Sequence, residues 1–361
     1  MKIAYLIHWN DGPDSGVFKK VISQITEWNL LGHEVTLFLF TNRWEAEWKD
    51  DLPELRLVTQ TYGAGLTRFS AFRKLISQVK EWQPDIVYHR FDLYYFALPT
   101  LLRSTPSILE INSNDLTEMR FGGKARYLYH QLTRAMVLRA ATGFVFVSGE
   151  IAEEEHYSRY VRDKVVIGNG FAMAGVSPAE PTVEDRIRLF FIGTPGQPWH
   201  GVDSIVALAE MNQDWHFDIV GIQSSDIGGQ LPNNMTFHGR MVRREYEPLM
   251  LKADVAIGSL ALYRNQMKEA SPLKVREYLA YGLPIIIGYS DTDFPEQVPF
   301  ILEIPNTPDN TRNNQEEIRT FVTAWHKKRV ERSQVAHLDT VVKEAVRVDY
   351  MKHIVQNGGR K

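Results

Sequence analysis

Short apolar runs recur along the chain, and helical patterns fill the intervals between them. In the first half they fall at Ile3–Ile7, Val35–Phe40, Ile86–Tyr88, Ser107–Ile111, Phe144–Val147 and Val165–Ile167. In the second half they fall at Leu189–Ile192, Phe217–Val220, Met235–Phe237, Val255–Ile257, Ile285–Ile287 and Ile301–Ile304. Runs without polar alternation mark strands buried on both faces, as in parallel sheets. Between the first two, Val17, Val21, Ile22, Ile25, Trp28 and Leu31 share one helical face, and Gly32 stops the helix. Leu66–Trp82 reads as a second helix, ended by Gln83-Pro84 because proline disfavours helix at the residue before it. Arg126–Arg139 reads as a third. Strand and helix alternate in both halves, which predicts an α/β fold with two doubly wound sheets.

The segment Ala172–Asp185 is rich in Pro, Gly and small residues and carries neither period, so it marks the domain boundary. The expected division is residues 1–172, residues 173–334, and a helical tail over 335–361 that packs back on the first domain. The closing N-G-G-R-K of that tail is expected to fray. Two open α/β domains facing each other form a cleft at the carboxyl ends of their strands, where such folds bind ligands.

Composition narrows the classes. A chain of 361 residues, 44% hydrophobic and 24% charged, suits two well-cored domains. A net charge of −3 supplies no basic field for nucleic acid, which is therefore not an expected partner. The absence of cysteine excludes disulfides and thiolate metal sites and fits a reducing compartment. No apolar stretch is long enough to span a bilayer. The opening M-K-I-A-Y-L-I-H reads as a strand rather than a signal peptide, so a cytoplasmic setting with at most peripheral membrane contact is expected. Two segments mix basic and aromatic residues. Phe121–Arg139 carries Lys124, Arg126, Arg134 and Arg139 with Tyr127 and Tyr129, and Leu66–Trp82 carries Arg68, Arg73 and Lys74 near Phe69 and Phe72. Each is either a solvated face or a surface for an anionic membrane.

The most informative stretch runs from Ala253 to Tyr289. A strand ends near Ser259, a polar loop follows, and Ser271-Pro272 opens a helix, with Ser271 as N-cap and Pro272 in first position. Gly282 ends that helix and Pro284 leads into the next strand. The free N–H groups near Leu273 and Lys274 form a ready anion site for a diphosphate. Glu269 lies in the loop before the helix and Glu277 inside it. A carboxylate is an acceptor-only group with two oxygens and suits a vicinal diol. One glutamate on each side of a diphosphate can thus hold hydroxyls at the two ends of a nucleotide-sugar.

The pattern E-x7-E, with its second Glu opening E-Y-L-A-Y-G-L-P, resembles the donor-site motif of retaining glycosyltransferases of the GT-B fold, family 4. Further segments resemble that family in the same order along most of the chain: G-P-D-S-G-V-F (12–18), L-G-H-E-V (31–35), V-I-G-N-G-F (166–171), L-F-F-I-G-T-P-G-Q-P-W-H-G-V-D (189–203), F-D-I-V-G (217–221) and M-T-F-H-G-R-M (235–241). The resemblance implies two Rossmann-like domains facing across a cleft. The second would bind the nucleotide-sugar and the first a glycan or lipid-linked acceptor, with cell-envelope polysaccharide assembly as the setting.

By the same resemblance Glu269 would contact the donor sugar and Glu277 the ribose. Backbone groups of Ser271, Pro272, Leu273 and Lys274 would hold the diphosphate, Gly16 would let the first loop approach it, and Gly193 and Thr194 would line it. The base would lie by Gly239, Arg240 and Met241. The departing phosphate oxygen would take the acceptor's proton, so no enzyme nucleophile, cofactor or metal is expected. The family's Arg and Lys of the first second-domain loop are replaced here by Thr194 and His200. The positive charge would then come from Lys274 with a protonated His200, or from Arg276, Lys268 or Arg264. Asn112 stands where many relatives carry a histidine and would contact sugar or acceptor. His89-Arg90 faces the cleft by topology. Asp291-Thr292-Asp293 looks like a metal motif of a different transferase fold and is not expected to bind metal. Two other readings stay open: a GT-B sugar-nucleotide epimerase or hydrolase, and a non-catalytic nucleotide-sugar binding protein.

Overall fold

The computed structural model describes residues 1–45, 48, 52 and 54–358. It divides into two compact units, Met1–Gly168 with Thr340–Lys361, and Asn169–Asp339. The crossings therefore fall at 168/169 and 339/340, against the expected 172/173 and 334/335.

The first unit holds seven parallel strands: β1 (Lys2–His8), β2 (Glu34–Thr41), β3 (Leu57–Thr61), β4 (Ile86–Arg90), β5 (Ser107–Ile111), β6 (Gly143–Phe146) and β7 (Lys164–Val166), in the order β3-β2-β1-β4-β5-β6-β7. The second holds β8 (Arg188–Ile192), β9 (His216–Val220), β10 (Met235–Gly239), β11 (Val255–Ile257), β13 (Ile285–Ile287) and β15 (Ile301–Glu303), in the order β10-β9-β8-β11-β13-β15. A separate two-residue ladder joins β12 (Glu269–Ala270) to β14 (Ser290–Asp291). Each main sheet starts at a central strand, winds outward one way, then returns to wind the other way. The reversal lies between β1 and β4 in one unit and between β8 and β11 in the other. Crevices for ligands open at such reversals, beyond the carboxyl ends of the strands.

All twelve apolar runs form strands. The one long strand that the pattern misses is β3, whose L-V-T-Q-T sits at the sheet edge with no residue fully buried. An edge strand needs no continuous apolar run, so it leaves no such signal.

The first core joins the sheet to the helix Gly16–Leu30 and to the terminal helix Thr340–Gly358, with Trp28, Tyr5, Tyr88, Val348, Met351 and Ile354 in one cluster. A Cβ on Gly143 would lie 2.6 Å from Ile354 Cδ1, so β6 begins with the one residue that lets the terminal helix lie down on it. Beneath that helix Glu110 accepts from Lys20 at 3.0 Å, with Arg90 at 3.8 Å and Arg347 at 3.9 Å. Glu344 accepts from Trp28 Nε1 at 2.8 Å and pairs with Arg347. Burial alone would raise the Glu110 pKa; Lys20, Arg347 and Arg90 outweigh it and hold the carboxylate ionised well below the usual range. The helix starts at Thr340 rather than 335, because 332–338 form two short turns of the second unit. Asn357 and Gly358 continue it; the rest of the segment expected to fray, 359–361, lies outside the described residues.

Candidate active site

The floor of the second-unit site is set by backbone. Gly193 and Gly221 directly follow strands β8 and β9, β10 ends at Gly239, and the three strand ends close on one another. Gly193 N–H donates to Val220 O at 2.9 Å, Gly221 N–H to Gly239 O at 2.6 Å, and Gly239 N–H to Ile222 O at 3.2 Å. Gly221 has φ +84°, and a Cβ there would sit 2.0 Å from Gly193 O. Only glycine permits this approach. Gly193 and Gly239 thus shape the floor through their backbone, Thr194 and Arg240 stand exposed at its edge, and Met241 is half-buried.

The helix expected at Ser271 begins at Leu273, with Pro272 as its cap residue and no side-chain cap. Ser271 is diverted. Its Oγ accepts from Asn169 N–H and from Arg276, each at 2.8 Å, and donates to Asp293 at 3.3 Å. Asn169 Nδ2 donates to Ser271 O at 2.5 Å, so the N-G pair of 169–170 pins the segment before the helix. The first N–H groups of the helix are left without a side-chain cap, which keeps them available to an anion.

Arg276 is fully buried and bonds Asp291 at 2.6 and 2.7 Å and Asp293 at 2.8 Å. It is therefore not a cation for the ligand, and the two aspartates that look like a metal motif are its counter-ions. Arg264 is likewise engaged, bidentate to Asp203 at 2.6 and 2.8 Å. Lys268 is exposed. Lys274 differs from all of these. Its half-buried Nζ donates to Ile192 O at 3.1 Å and lies 4.2 Å from the centre of the Phe191 ring. Among the described residues no carboxylate pairs with it, and burial lowers its pKa to about 7.

His200 does not fit the protonated role. It is buried, and its Nδ1 accepts from Thr194 N–H at 3.3 Å, which leaves the proton on Nε2. Burial, and then Lys274, push its pKa well below the usual histidine range. The ring is neutral and braces the Thr194 loop.

The glutamates sit in different settings. Glu269 is not in a free loop: it forms β12, paired with Ser290, and Asp291 of β14 continues into the Arg276 cluster. Glu269, the helix start and β14 are one braced block. Glu277 is gripped by residues that the sequence reading missed. Tyr246 Oη lies 3.1 Å from both carboxylate oxygens and Arg243 Nε 3.3 Å from one. Arg243 also donates to Tyr281 Oη at 2.6 Å and stacks 5.0 Å from the Phe171 ring centre. Their signal was R-R-E-Y (243–246), which places Arg243 and Tyr246 three apart on one face of the helix Arg243–Leu251.

In the first unit, Gly16 is the opening residue of its helix rather than part of a loop, with Ser15 as cap accepting from Phe18 N–H at 3.2 Å. Asn112 Oδ1 accepts from Lys20 at 2.9 Å and its Nδ2 donates to Glu110 at 3.1 Å. It lines a cavity of about 280 Å³. His89 does not face a cleft: it is buried, its Nδ1–H donates to Leu6 O at 2.9 Å, and burial lowers its pKa to about 4. The histidines at the cavity are His8, whose Nδ1 bonds Asp92 and whose Nε2 lies 2.6 Å from Tyr62 Oη, and the buried His130, whose Nε2 bonds Asp115 at 2.5 Å.

The Lys274 setting makes a two-sided prediction. Its folded pKa is lowered, so the charged form is penalised by folding. That penalty is full below about pH 7 and is relieved as pH rises from there towards the ordinary lysine value. Lys274→Met should raise the Tm of the ligand-free protein at pH 6 while weakening uridine diphosphate binding at least tenfold. Wild-type affinity should fall between pH 6 and 8.5, and the variant's should fall less. Calorimetry and thermal melts check this; an unchanged affinity or a lower Tm contradicts it.

Residues 15–174 match the model of Glycosyltransferase Family 4. No curated protein matches the chain by sequence. Among solved structures, a glycosyltransferase from Rickettsia africae superposes with a TM-score of 0.68 at 14% identity, covering 99% of each chain. The apo form of the lipopolysaccharide outer core galactosyltransferase WaaB gives 0.66 at 14% identity, over 97% of this chain and 98% of that one. Anabaena HepE, in complex with UDP and glucose, gives 0.64 at 15% identity, over 98% and 100%. At such identities the superpositions speak to the fold, and the family match speaks to the sequence. The family match is confined to residues 15–174, most of the first unit, and the superpositions, across two parallel doubly wound sheets, show the chain to have the GT-B glycosyltransferase fold.

Proposed function

We propose that this chain transfers a hexose from a nucleoside-diphosphate sugar to a glycan or lipid-linked acceptor, with retention of configuration and without a metal ion or other cofactor. The second unit binds the donor and the first the acceptor, at the cytoplasmic face of a membrane and in the assembly of envelope polysaccharide. The observation that carries this reading is Lys274, an uncompensated, partly desolvated ammonium in the first turn of a helix that no side chain caps. Helix N–H groups and that ammonium stabilise charge on the leaving diphosphate, where electrostatic preorganisation contributes most. The departing phosphate oxygen takes the proton of the acceptor hydroxyl as that oxygen bonds the sugar carbon from the same face. Glu269 holds sugar hydroxyls and Glu277 the ribose. His200 acts as a neutral brace for the Thr194 loop, and the backbone of Gly239, Arg240 and Met241 borders the base. The engagement of Asp291 and Asp293 by Arg276 supports the metal-free reading. The family match supports transfer over epimerisation or mere binding. HepE, a structural relative, was solved with UDP and glucose, and WaaB is a galactosyltransferase of lipopolysaccharide core.

The membrane contact rests on the helix Lys124–Leu138. Leu128, Leu132 and Met136 recur every four residues along its outer face and are 55%, 71% and 40% exposed. Phe121 just before it is also exposed. Arg120, Lys124 and Arg139 flank this apolar stripe, and no Asp or Glu occurs between Glu118 and Glu150. Arg134 is not part of the face, since it is buried on Asp115 at 2.6 Å. Apolar side chains framed by cations suit the interface of an anionic bilayer. No helix among the described residues is long and apolar enough to cross one.

Incubation with a panel of α-linked nucleoside-diphosphate hexoses, added glycan acceptors and EDTA should give α-linked product, read by NMR. A β-linked product contradicts retention, loss of activity in EDTA reversed by Mg²⁺ revives Asp291 and Asp293 as ligands, and a new sugar formed without acceptor favours epimerisation. For the membrane contact, the chain should co-sediment with phosphatidylglycerol vesicles and not with phosphatidylcholine, and Leu128→Glu with Leu132→Glu should reduce that binding at least tenfold. Equal binding to both lipids, or none lost in the variant, sinks the membrane reading.

A further inference from the structure

The inference that follows rests on the reading that the first unit receives the acceptor. The strand order of that unit reverses between β1 and β4, and residues beyond those two strands open a cavity of about 390 Å³. Its walls include His8, Tyr62, Arg68, Tyr95, Arg126 and Tyr129, and among the described residues no Asp or Glu lines it. Two guanidinium groups therefore face one small space without a carboxylate in its lining.

Neither cation is well neutralised elsewhere. Arg68 lies 4.9 Å from the Tyr62 ring centre and 5.4 Å from that of Tyr95, and it donates to Tyr95 Oη. Its Nε is buried and has no hydrogen-bond partner among the described residues. Among the described residues no carboxylate pairs with it. Arg126 stands 3.7 Å from Asp92, at the limit of an ion pair, and Asp92 is already bonded by His8. The tyrosines that carry Arg68 are held from behind. Tyr62 stacks on Phe40 at 4.3 Å and Tyr95 on Phe72 at 4.1 Å. Arg68 is thus seated on a rigid aromatic base, with donors left over.

Two like charges placed together repel, and a partly buried donor without a partner carries a desolvation cost. Both costs disappear when an anion enters. The planar fork of arginine matches a carboxylate or phosphate, and the phenol groups add donors and acceptors for sugar hydroxyls. We propose that this cavity binds an acceptor sugar bearing a carboxylate or a phosphate, with Arg68 and Arg126 holding the anionic group and the tyrosines walling the ring. A neutral sugar of the same size would leave Arg68 without an anionic partner and Arg126 with only its 3.7 Å contact to Asp92, so the site selects acidic acceptors.

Saturation-transfer NMR on the full chain tests this with methyl glucuronide, glucose 6-phosphate and methyl glucoside as probes. At least one of the two anionic sugars should bind ten or more times tighter than the neutral one, and the stronger of them tells carboxylate from phosphate. Arg68→Met and Arg126→Met should each lower that affinity about ten- to a hundredfold, the loss expected for a charged hydrogen bond. Uridine diphosphate binding, measured by calorimetry on the same samples, should be unchanged. If Arg68→Met loses both ligands it has disturbed the fold, and Arg126→Met, on a half-exposed side chain, then decides. No preference for the charged sugars, absence of all binding included, overturns the proposal, as does unchanged affinity in Arg126→Met. Failure of uridine diphosphate to bind the wild-type protein instead overturns the donor reading, and the comparison of sugars still stands by itself.

Discussion

The second unit depends on a single buried cation. Arg276 has no exposure, yet it touches four residues in three parts of the chain: Asp291 and Asp293 after β13, Ser271 before the helix Leu273–Ala280, and Asn169 O at 3.2 Å. Burial works against its charge, and Asp291 and Asp293 more than restore it, raising its pKa. Such a group cannot lose a partner cheaply; an uncompensated buried charge costs about 3–5 kcal/mol. The cluster therefore fixes where the helix Leu273–Ala280 begins and keeps Ser271 away from its end. A capped helix would have satisfied its own first N–H groups. This one presents them.

The same cluster decides which cation remains for a ligand. Three of the four basic residues near the site could be mistaken for phosphate partners by position alone. Arg276 and Arg264 have carboxylates of their own, and Lys268 is exposed. Lys274 alone combines partial burial with the absence of an acidic partner among the described residues. His200, its neighbour, is neutral in consequence, since burial and the lysine both oppose a second charge. Thr194 and His200 stand where the resemblance to family 4 implies a basic pair, and neither carries a charge in this fold; Lys274, in the first turn of the helix, is the partly buried cation left beside them.

The two sheets were legible because both of their faces are covered, which leaves near-continuous apolar runs such as Ile3–Ile7 and Leu189–Ile192. The edge strand β3 lacked that mark. The motif glutamates were legible from their spacing around a Ser-Pro helix start, but not what holds them. Arg243 and Tyr246, which grip Glu277, come from a separate helix, and only the fold brings them there. Ser271 looked like a cap because Ser before an apolar helix usually is one. Asn169, more than a hundred residues away in sequence, diverts it. His89 and His8 show the same limit. Both lie near the carboxyl ends of central strands, and the direction of the side chain decides that one is sealed under Leu6 O while the other reaches the cavity.

The central claim is the orientation of a nucleotide-sugar along the helix Leu273–Ala280, with its sugar towards Glu269 and its ribose towards Glu277. Calorimetry of free uridine diphosphate with Glu277→Ala and Glu269→Ala tests it directly, because that ligand keeps the ribose and lacks the sugar. A charged hydrogen bond contributes about 1.5–3 kcal/mol, so Glu277→Ala should weaken binding roughly ten- to a hundredfold while Glu269→Ala leaves it nearly intact. If Glu269→Ala loses the nucleotide and Glu277→Ala keeps it, the donor lies the other way round and the account of this site is wrong.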